Sequence, residues 1–449
     1  MQPERVFEAP TPSHETPDLP EAAAPEARPA SPPAWSLAKR VLFRFSFVYF
    51  LLYFLPWLLS LIPFAGMASR PVGDVWSGFV TSIGERVFGV HAVEEFTGSG
   101  DTTFEYVRLF CLLGIAAAAT AVWSILDRRR PHYDRLYAWL RVYVRVSLAT
   151  AMIVYGGMKA INSQFPALGL ERLVQPYGDG SPMRLLWNFM GFSQTYTMFS
   201  GIAELAGGLL LSFRRTALLG TLVSIGVMAN VAMLNFCYDV PVKLFSSHLL
   251  LAGIFLLLPD LPRLANLFVL NRRVEPAPIP PLFANRRLDR TVVVLRTVAL
   301  LGLAGFMLYS SYQGRKQYQA TRSPLRGIWN VEEFVLDGQV RPPLTTDPVR
   351  WRRMVFDFPQ RVSLHPMDAP ARGYMVQLDP KKRSLELTGR DDPKAKSALT
   401  YERPKPDVLL LSGTFEGKPI RARLRLQDES KFLLTSRGFH WINEYPFNR

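Results

Sequence analysis

Burying an ionisable side chain in an apolar helix is costly, so each one marks either chemistry or a tight pairing. Glu204 is the clearest case. It lies inside the apolar run from about 195 to 213, roughly 10–15 Å along a helix that begins near Gln194, and it needs a cation or a proton. Partners stand at the ends of neighbouring runs. Lys159 closes one, Asn230, Asn235, Cys237, Asp239 and Lys243 surround the end of another, and His248 lies about one turn into a third. Two readings follow and both stay open. One is a satisfied polar network that fixes helix packing. The other is a pocket that carries protons or binds a ligand, with Glu204 and Lys159 as catalytic candidates and Asn230, Asn235, Asp239, Lys243 and His248 as ligand-binding candidates.

Cys111 and Cys237 fall near run ends on one side, where a redox-active pair would sit. With neither a Cys-x-x-Cys spacing nor a flanking base, two unpaired buried thiols are the reading preferred. The six histidines (14, 91, 132, 248, 365, 440) are scattered, without the paired cysteines or carboxylates of a metal centre, so no metal is expected. Nucleophile-elbow, Walker and dinucleotide motifs are absent from any strand-to-helix context.

The chain that must position these groups has 449 residues, 49% hydrophobic and 20% charged, with a mean hydropathy of +0.08. An ordinary soluble enzyme is more charged than this. Seven runs read as spans of a bilayer core, which takes about 20 helical residues, the shorter ones extended by flanking charges that snorkel to the interface: Phe45–Ser69, Leu109–Leu126, 138–160, 195–213, Thr216–Tyr238, Leu244–Pro259 and Thr297–Gly314. Basic residues cluster in alternate loops, at Lys39–Arg40, Arg128–Arg130, Arg214–Arg215 and between Arg263 and Arg290. By the positive-inside rule those loops are cytoplasmic. The N-terminus is then cytoplasmic and, after seven spans, the C-terminal domain is extracytoplasmic. Ser181-Pro182 and Thr102-x-x-Glu105 read as helix starts.

Residues 1–36 form a Pro/Ala/Glu-rich tail with no apolar periodicity, expected to be disordered. The transmembrane domain is 37–312. From 325 to 449 the pattern turns to short alternating runs: Trp329–Phe334, Trp351–Phe358, Gly373–Leu378, Ser384–Thr388, Ala398–Glu402, Val408–Ser412, Ile420–Leu426 and Phe432–Ser436. Eight such strands predict a small antiparallel barrel or sandwich. Its opening Gly327-Ile-Trp329 resembles the Gly-x-Trp start of lipocalin-like barrels, whose Trp packs over a basic residue on the last strand; Arg437 is the candidate for that residue here, and an ordinary core Trp is the alternative reading.

The net charge of +15 divides along the chain. Residues 1–34 hold two basic and six acidic residues, and 313–449 hold 25 basic and 16 acidic. The remainder lies in the membrane domain, much of it in the loops that set orientation. The excess therefore does not indicate nucleic acid, and the lipid bilayer is the expected partner.

Tyr155-Gly-Gly-Met-Lys159 with Phe165-Pro166, followed by Ala203-Glu204-Leu-Ala-Gly207-Gly208-Leu-Leu-Leu211, Arg214-Arg215-Thr216 and a further apolar pair, resembles the DoxX-like membrane proteins. The likeness covers about 141–260. It implies a four-helix core and a subunit linked to quinone and thiol or sulfur redox chemistry, with a membrane or periplasmic redox partner and a bacterial inner-membrane location. Lys159 and Glu204 are the positions that match the family pattern. Two helices before the core, one after it and the β domain depart from that pattern. The alternative is a non-enzymatic, membrane-anchored binding or scaffold protein whose β domain holds a lipophilic ligand or a protein partner.

Overall fold

The computed structural model describes residues 34–62, 64–276, 281–320, 323–358, 360–390, 392 and 396–448. Most of the expected N-terminal tail, residues 1–33, lies outside them. Helices run α1 (Leu37–Ser60), α2 (Ala65–Ile83), α3 (Thr103–Leu126), α4 (Asp134–Ala160), α5 (Leu170–Val174), α6 (Pro182–Phe192), α7 (Gln194–Ser212), α8 (Ala217–Cys237), α9 (Lys243–Leu257), α10 (Leu261–Phe268) and α11 (Arg286–Ala320). Their starts carry the anticipated caps. Thr102 Oγ1 accepts from Glu105 N at 3.3 Å and Ser181 Oγ from Arg184 N at 3.2 Å, satisfying amides that have no partner within the helix.

Six segments are long and apolar enough to cross a membrane: α1, α3, α4, α8, α9 with its α10 continuation, and α11. The seventh expected span is α7. Glu204 and its glycines hold its apolarity below that of the six, yet it packs along both α4 and α8, and its 19 residues reach about 28 Å. The helices alternate in direction. At one end Trp35 N donates to Pro131 O (2.9 Å) and Arg214 pairs with Asp289 (2.9 Å). At the other, Lys243 N donates to Asp101 Oδ2 (2.7 Å) and Arg315 reaches Ile161 O (3.5 Å).

Three spans differ from their expected bounds because helices run on through arginines. The first is displaced to Leu37–Ser60 and takes in Arg44, only 1% exposed. Its guanidinium is satisfied by the Tyr133 hydroxyl (2.7 Å), Ser124 Oγ (2.7 Å) and Asp127 O (2.9 Å). Helix α3 begins six residues before the expected Leu109 and takes in Arg108, whose Nε donates to Glu105 at 2.8 Å, and α11 begins eleven residues before the expected Thr297. Where a plain loop was expected, α2 forms and packs against α3.

The C-terminal domain is a barrel, not a sandwich. Its strands are β1 (Gly327–Leu336), β2 (Gln339–Val340), β3 (Trp351–Phe358), β4 (Arg361–Pro366), β5 (Arg372–Asp379), β6 (Ser384–Gly389), β7 (Lys396–Lys405), β8 (Val408–Phe415) and β9 (Lys418–Leu426). Neighbours pair antiparallel, and β1 closes on β9 from Trp329↔Leu426 to Leu336↔Ile420. Eight strands thus close the wall, with β2 a hairpin appended to β1. Trp329, Phe334, Trp351 and Phe356 fill the interior, each at most 2% exposed. Phe432–Ser436 is not a strand but a turn followed by helix α12 (Leu433–Ser436). Strand β4 was not anticipated. Its alternation rests on Val362 and Leu364 alone, closed by Pro366.

The barrel's outer wall docks on α5. Leu170 packs on Ile328 of β1 and Val355 of β3, and Glu171 meets His365 of β4 at 3.0 Å. The barrel therefore lies at the same end of the bundle as Ala160 and Gln194.

Candidate functional site

Helix α4 is the centre of the bundle: 56% of its apolar stretch is buried, against 11–33% in the other five membrane-length segments. A helix enclosed this closely needs small residues where its neighbours cross. Gly208 of α7 is one. A Cβ there would stand 2.8 Å from Ala149 O and 2.9 Å from Ile153 Cγ1. With the two backbones this close, side chains a turn further on meet directly. Lys159 Nζ of α4 donates to Glu204 Oε1 of α7. The two are 7% and 2% exposed, so the pair is shielded from solvent and each group is the other's main compensation for lost hydration.

The pair forms part of the wall of a cavity of about 560 Å³, whose remaining wall is mainly apolar and aromatic, including Met152, Tyr155, Phe165, Trp187 and Met190. Asn230 and Asn235 line the same cavity. Four of the expected site residues are therefore brought together. Asn235 is also a crosslink, donating to Ser246 Oγ of α9 at 3.0 Å. Exposed Leu185, Phe189 and Asn230 line one side, so the cavity opens on the flank of the bundle between α6 and α8.

The other expected ligand-binding residues lie elsewhere. Asp239 and Lys243 pair with each other at 2.8 Å, and neither lines the Lys159–Glu204 cavity. They belong to a joint centred on Asp101, whose carboxylate accepts from the backbone N–H groups of Lys243 (2.7 Å) and Leu244 (2.9 Å) and so caps α9. Sequence reasoning missed Asp101, because its partners are 142 and 143 residues away.

His248 lines a second cavity of about 970 Å³, separated from the first by Tyr155, Val242 and Phe245, which border both. Its Nδ1 lies 2.6 Å from Leu244 O. A carbonyl only accepts, so Nδ1 carries the proton, and in the neutral ring Nε2 accepts from the Tyr49 hydroxyl at 2.5 Å. Tyr53 stacks on the imidazole at 3.9 Å. Neither Tyr49 nor Tyr53 was singled out by sequence, since each reads as one more aromatic in an apolar run. Both cysteines are free thiols, Cys111 buried as expected and Cys237 exposed, contrary to the expectation, because it ends α8 at the bundle surface. Among the described residues no group of three or more His, Cys, Asp or Glu is placed to hold a metal ion.

Over 124 residues the chain is 31% identical to the uncharacterized protein YwoB of Bacillus subtilis (strain 168), a segment that makes up 28% of this chain and 79% of that protein. No protein-family model matches the chain, and no solved structure does.

Proposed function

The chain belongs to the same family as the uncharacterized protein YwoB, and we propose that it is a DoxX-like integral membrane component of a quinone-linked oxidoreductase. The observation that carries this reading is the buried Lys159–Glu204 pair in the wall of an apolar cavity. The volume is in the range of small-molecule sites, and apolar walls with a few fixed polar groups are what such sites require. The opening between α6 and α8 suits a ligand arriving from the lipid side. A quinone held there would supply two-electron acceptance coupled to uptake of two protons. The Lys159 ammonium gives one of its three protons to a hydrogen bond with Glu204 and has others to offer a ligand oxygen, and Glu204 is the group that can hold and pass a proton at its carboxylate. Because the pair is neutral overall, the cavity accepts an uncharged ligand without an unbalanced buried charge.

The arginine bias of the loops at the α3–α4, α7–α8 and α10–α11 ends supports a cytoplasmic N-terminus and an extracytoplasmic barrel, in a bacterial inner membrane with a membrane or periplasmic redox partner. The test is titration of the detergent-purified full chain with a short-chain ubiquinone, together with redox turnover of wild type and Glu204→Gln. Saturable binding that a bulky Met152→Trp abolishes, with turnover lost in Glu204→Gln, is the expected result. Intact turnover in Glu204→Gln removes the proton role. Absence of binding, with function lost on deleting the barrel, favours the scaffold reading. The filled barrel interior then directs attention to its outer surface.

A further inference from the structure

We propose that the cleft between the barrel and the 161–193 segment binds a phosphoryl oxyanion, held by Arg172 and Arg184 from the membrane domain and Arg361 and Arg390 from the barrel. All four line a cavity of about 380 Å³. Among the described residues, none of their guanidinium groups takes part in an ion pair or a side-chain hydrogen bond, and Arg172 Nη1 is buried without a partner. The two carboxylates of the cleft are engaged elsewhere. Glu171 meets His365 at 3.0 Å, and Asp357 is pressed against the backbone at Gly169, where a Cβ would stand 2.1 Å from its Oδ2.

Four guanidinium groups against two carboxylates leave the cleft cationic; burial and Arg184 work against the charge on Arg172, and Glu171 and Asp357 offset them only in part. Like charges gathered from two domains oppose docking unless an anion joins them. Guanidinium forks match phosphate oxygens, each offering parallel N–H donors. A carboxylate presents its oxygens along one edge, whereas a phosphoryl group presents them tetrahedrally and can meet arginines approaching from both domains. Trp187 and Asn188 on the same wall give an organic substituent an aromatic face and a polar contact. Since α4 ends at Ala160 and α7 begins at Gln194, the cleft lies where the bundle leaves the membrane. A lipid headgroup and a soluble phosphate have the same chemistry there. Bound, the anion acts as a clamp between barrel and bundle.

The experiment titrates the full chain in detergent with inorganic phosphate and, separately, with dioctanoyl phosphatidylglycerol. Sodium chloride at matched ionic strength and dioctanoylglycerol, which lacks the phosphate, serve as controls. Binding is read by calorimetry, and the clamp by the thermal midpoint. Saturation by phosphate alone identifies a soluble ligand, and saturation only by phosphatidylglycerol a headgroup; either supports the site. The double variant Arg361→Gln/Arg390→Gln, at exposed barrel positions that leave the fold intact, raises Kd about tenfold or more, as loss of charge-assisted hydrogen bonds requires. No saturation beyond the controls with either probe, or a double variant that binds like wild type, overturns the proposal.

Discussion

Gly156 of α4 and Gly201 of α7 meet backbone to backbone: a Cβ on Gly156 would stand 2.9 Å from the Gly201 carbonyl oxygen, and one on Gly201 would stand 2.7 Å from Lys159 Cβ. This contact sets the distance at which Lys159 and Glu204 can pair. Adding a methyl group forces the helices apart, so Gly201→Ala is expected to destabilise the bundle by about 1–3 kcal/mol, the usual cost of overpacking. Gly226→Ala on α8 is the control, because a Cβ there meets nothing within 4 Å. Thermal unfolding in detergent separates the two. A Gly201→Ala midpoint equal to that of the control would show that the close approach is not needed.

Removing one member of the buried pair is expected to cost more than removing both. Lys159→Ala leaves the Glu204 carboxylate at 2% exposure with its cation gone, a loss of about 3–5 kcal/mol for a broken buried pair. Lys159→Met combined with Glu204→Gln replaces the charges with groups of similar volume and should recover most of that loss. Unfolding midpoints for the two variants decide. If the double variant is as unstable as the single one, the attraction within the pair, and not the charge left uncompensated, accounts for the loss.

Local patterns made the bundle legible, and contacts distant in sequence hid the rest. Apolar runs and the Glu204 anomaly reveal themselves within a 20-residue window, and Lys159 stood at the end of its run as its partner required. Helix ends that pass through Arg44 or Arg108 were hidden, since a charge ends an apolar run on paper but not in a protein that supplies carbonyls, hydroxyls and carboxylates for it. Of the seven expected site positions, Asp239, Lys243 and His248 share an end of the bundle with Glu204 but not its cavity. Sequence gives depth along a helix, while the facing direction depends on how neighbouring helices pack.

The barrel's first turn shows the same limit. Gly327-Ile-Trp329 opens β1 as expected, and Trp329 is fully buried, its Nε1 donating to Leu325 O at 2.9 Å. The cation over its ring is Arg403 of β7, at 5.4 Å, and not Arg437, which lies 4.0 Å from Phe447 and bonds to Asn443. Arg437 follows the last strand instead of lying on it, so it cannot reach the ring. Arg403→Gln should lower barrel stability by about 0.5–1 kcal/mol, as for an exposed cation–π contact, with Arg437→Gln unchanged. Urea unfolding followed by tryptophan fluorescence measures both, and the reverse ranking would restore Arg437 as the partner.

Docking of the barrel on α5 should pass through an optimum in acid. Burial works to raise the Glu171 carboxyl, but hydrogen bonds from His365 and Ser363 and the charges of His365 and Arg184 outweigh it and hold the group below its ordinary range. Its contribution is therefore complete above the undocked value of about 4.3 and is lost as pH falls through the lower docked value. Asp357 has the opposite sign. Burial pushes its carboxyl up, against the lowering effect of the Leu170 and Glu171 N–H groups, so the docked state holds this proton more tightly. Acidification through the window above about 3.9 then favours docking, and rising pH removes that gain. A donor–acceptor distance between the 176–181 loop and the Glu416–Lys418 turn, followed from about pH 3 to pH 7, should be shortest between the two transitions. Glu171→Gln is expected to abolish the low-pH limb and Asp357→Asn the other. A wild-type profile that Glu171→Gln leaves unaltered would mean that the Glu171–His365 contact does not hold the barrel in place.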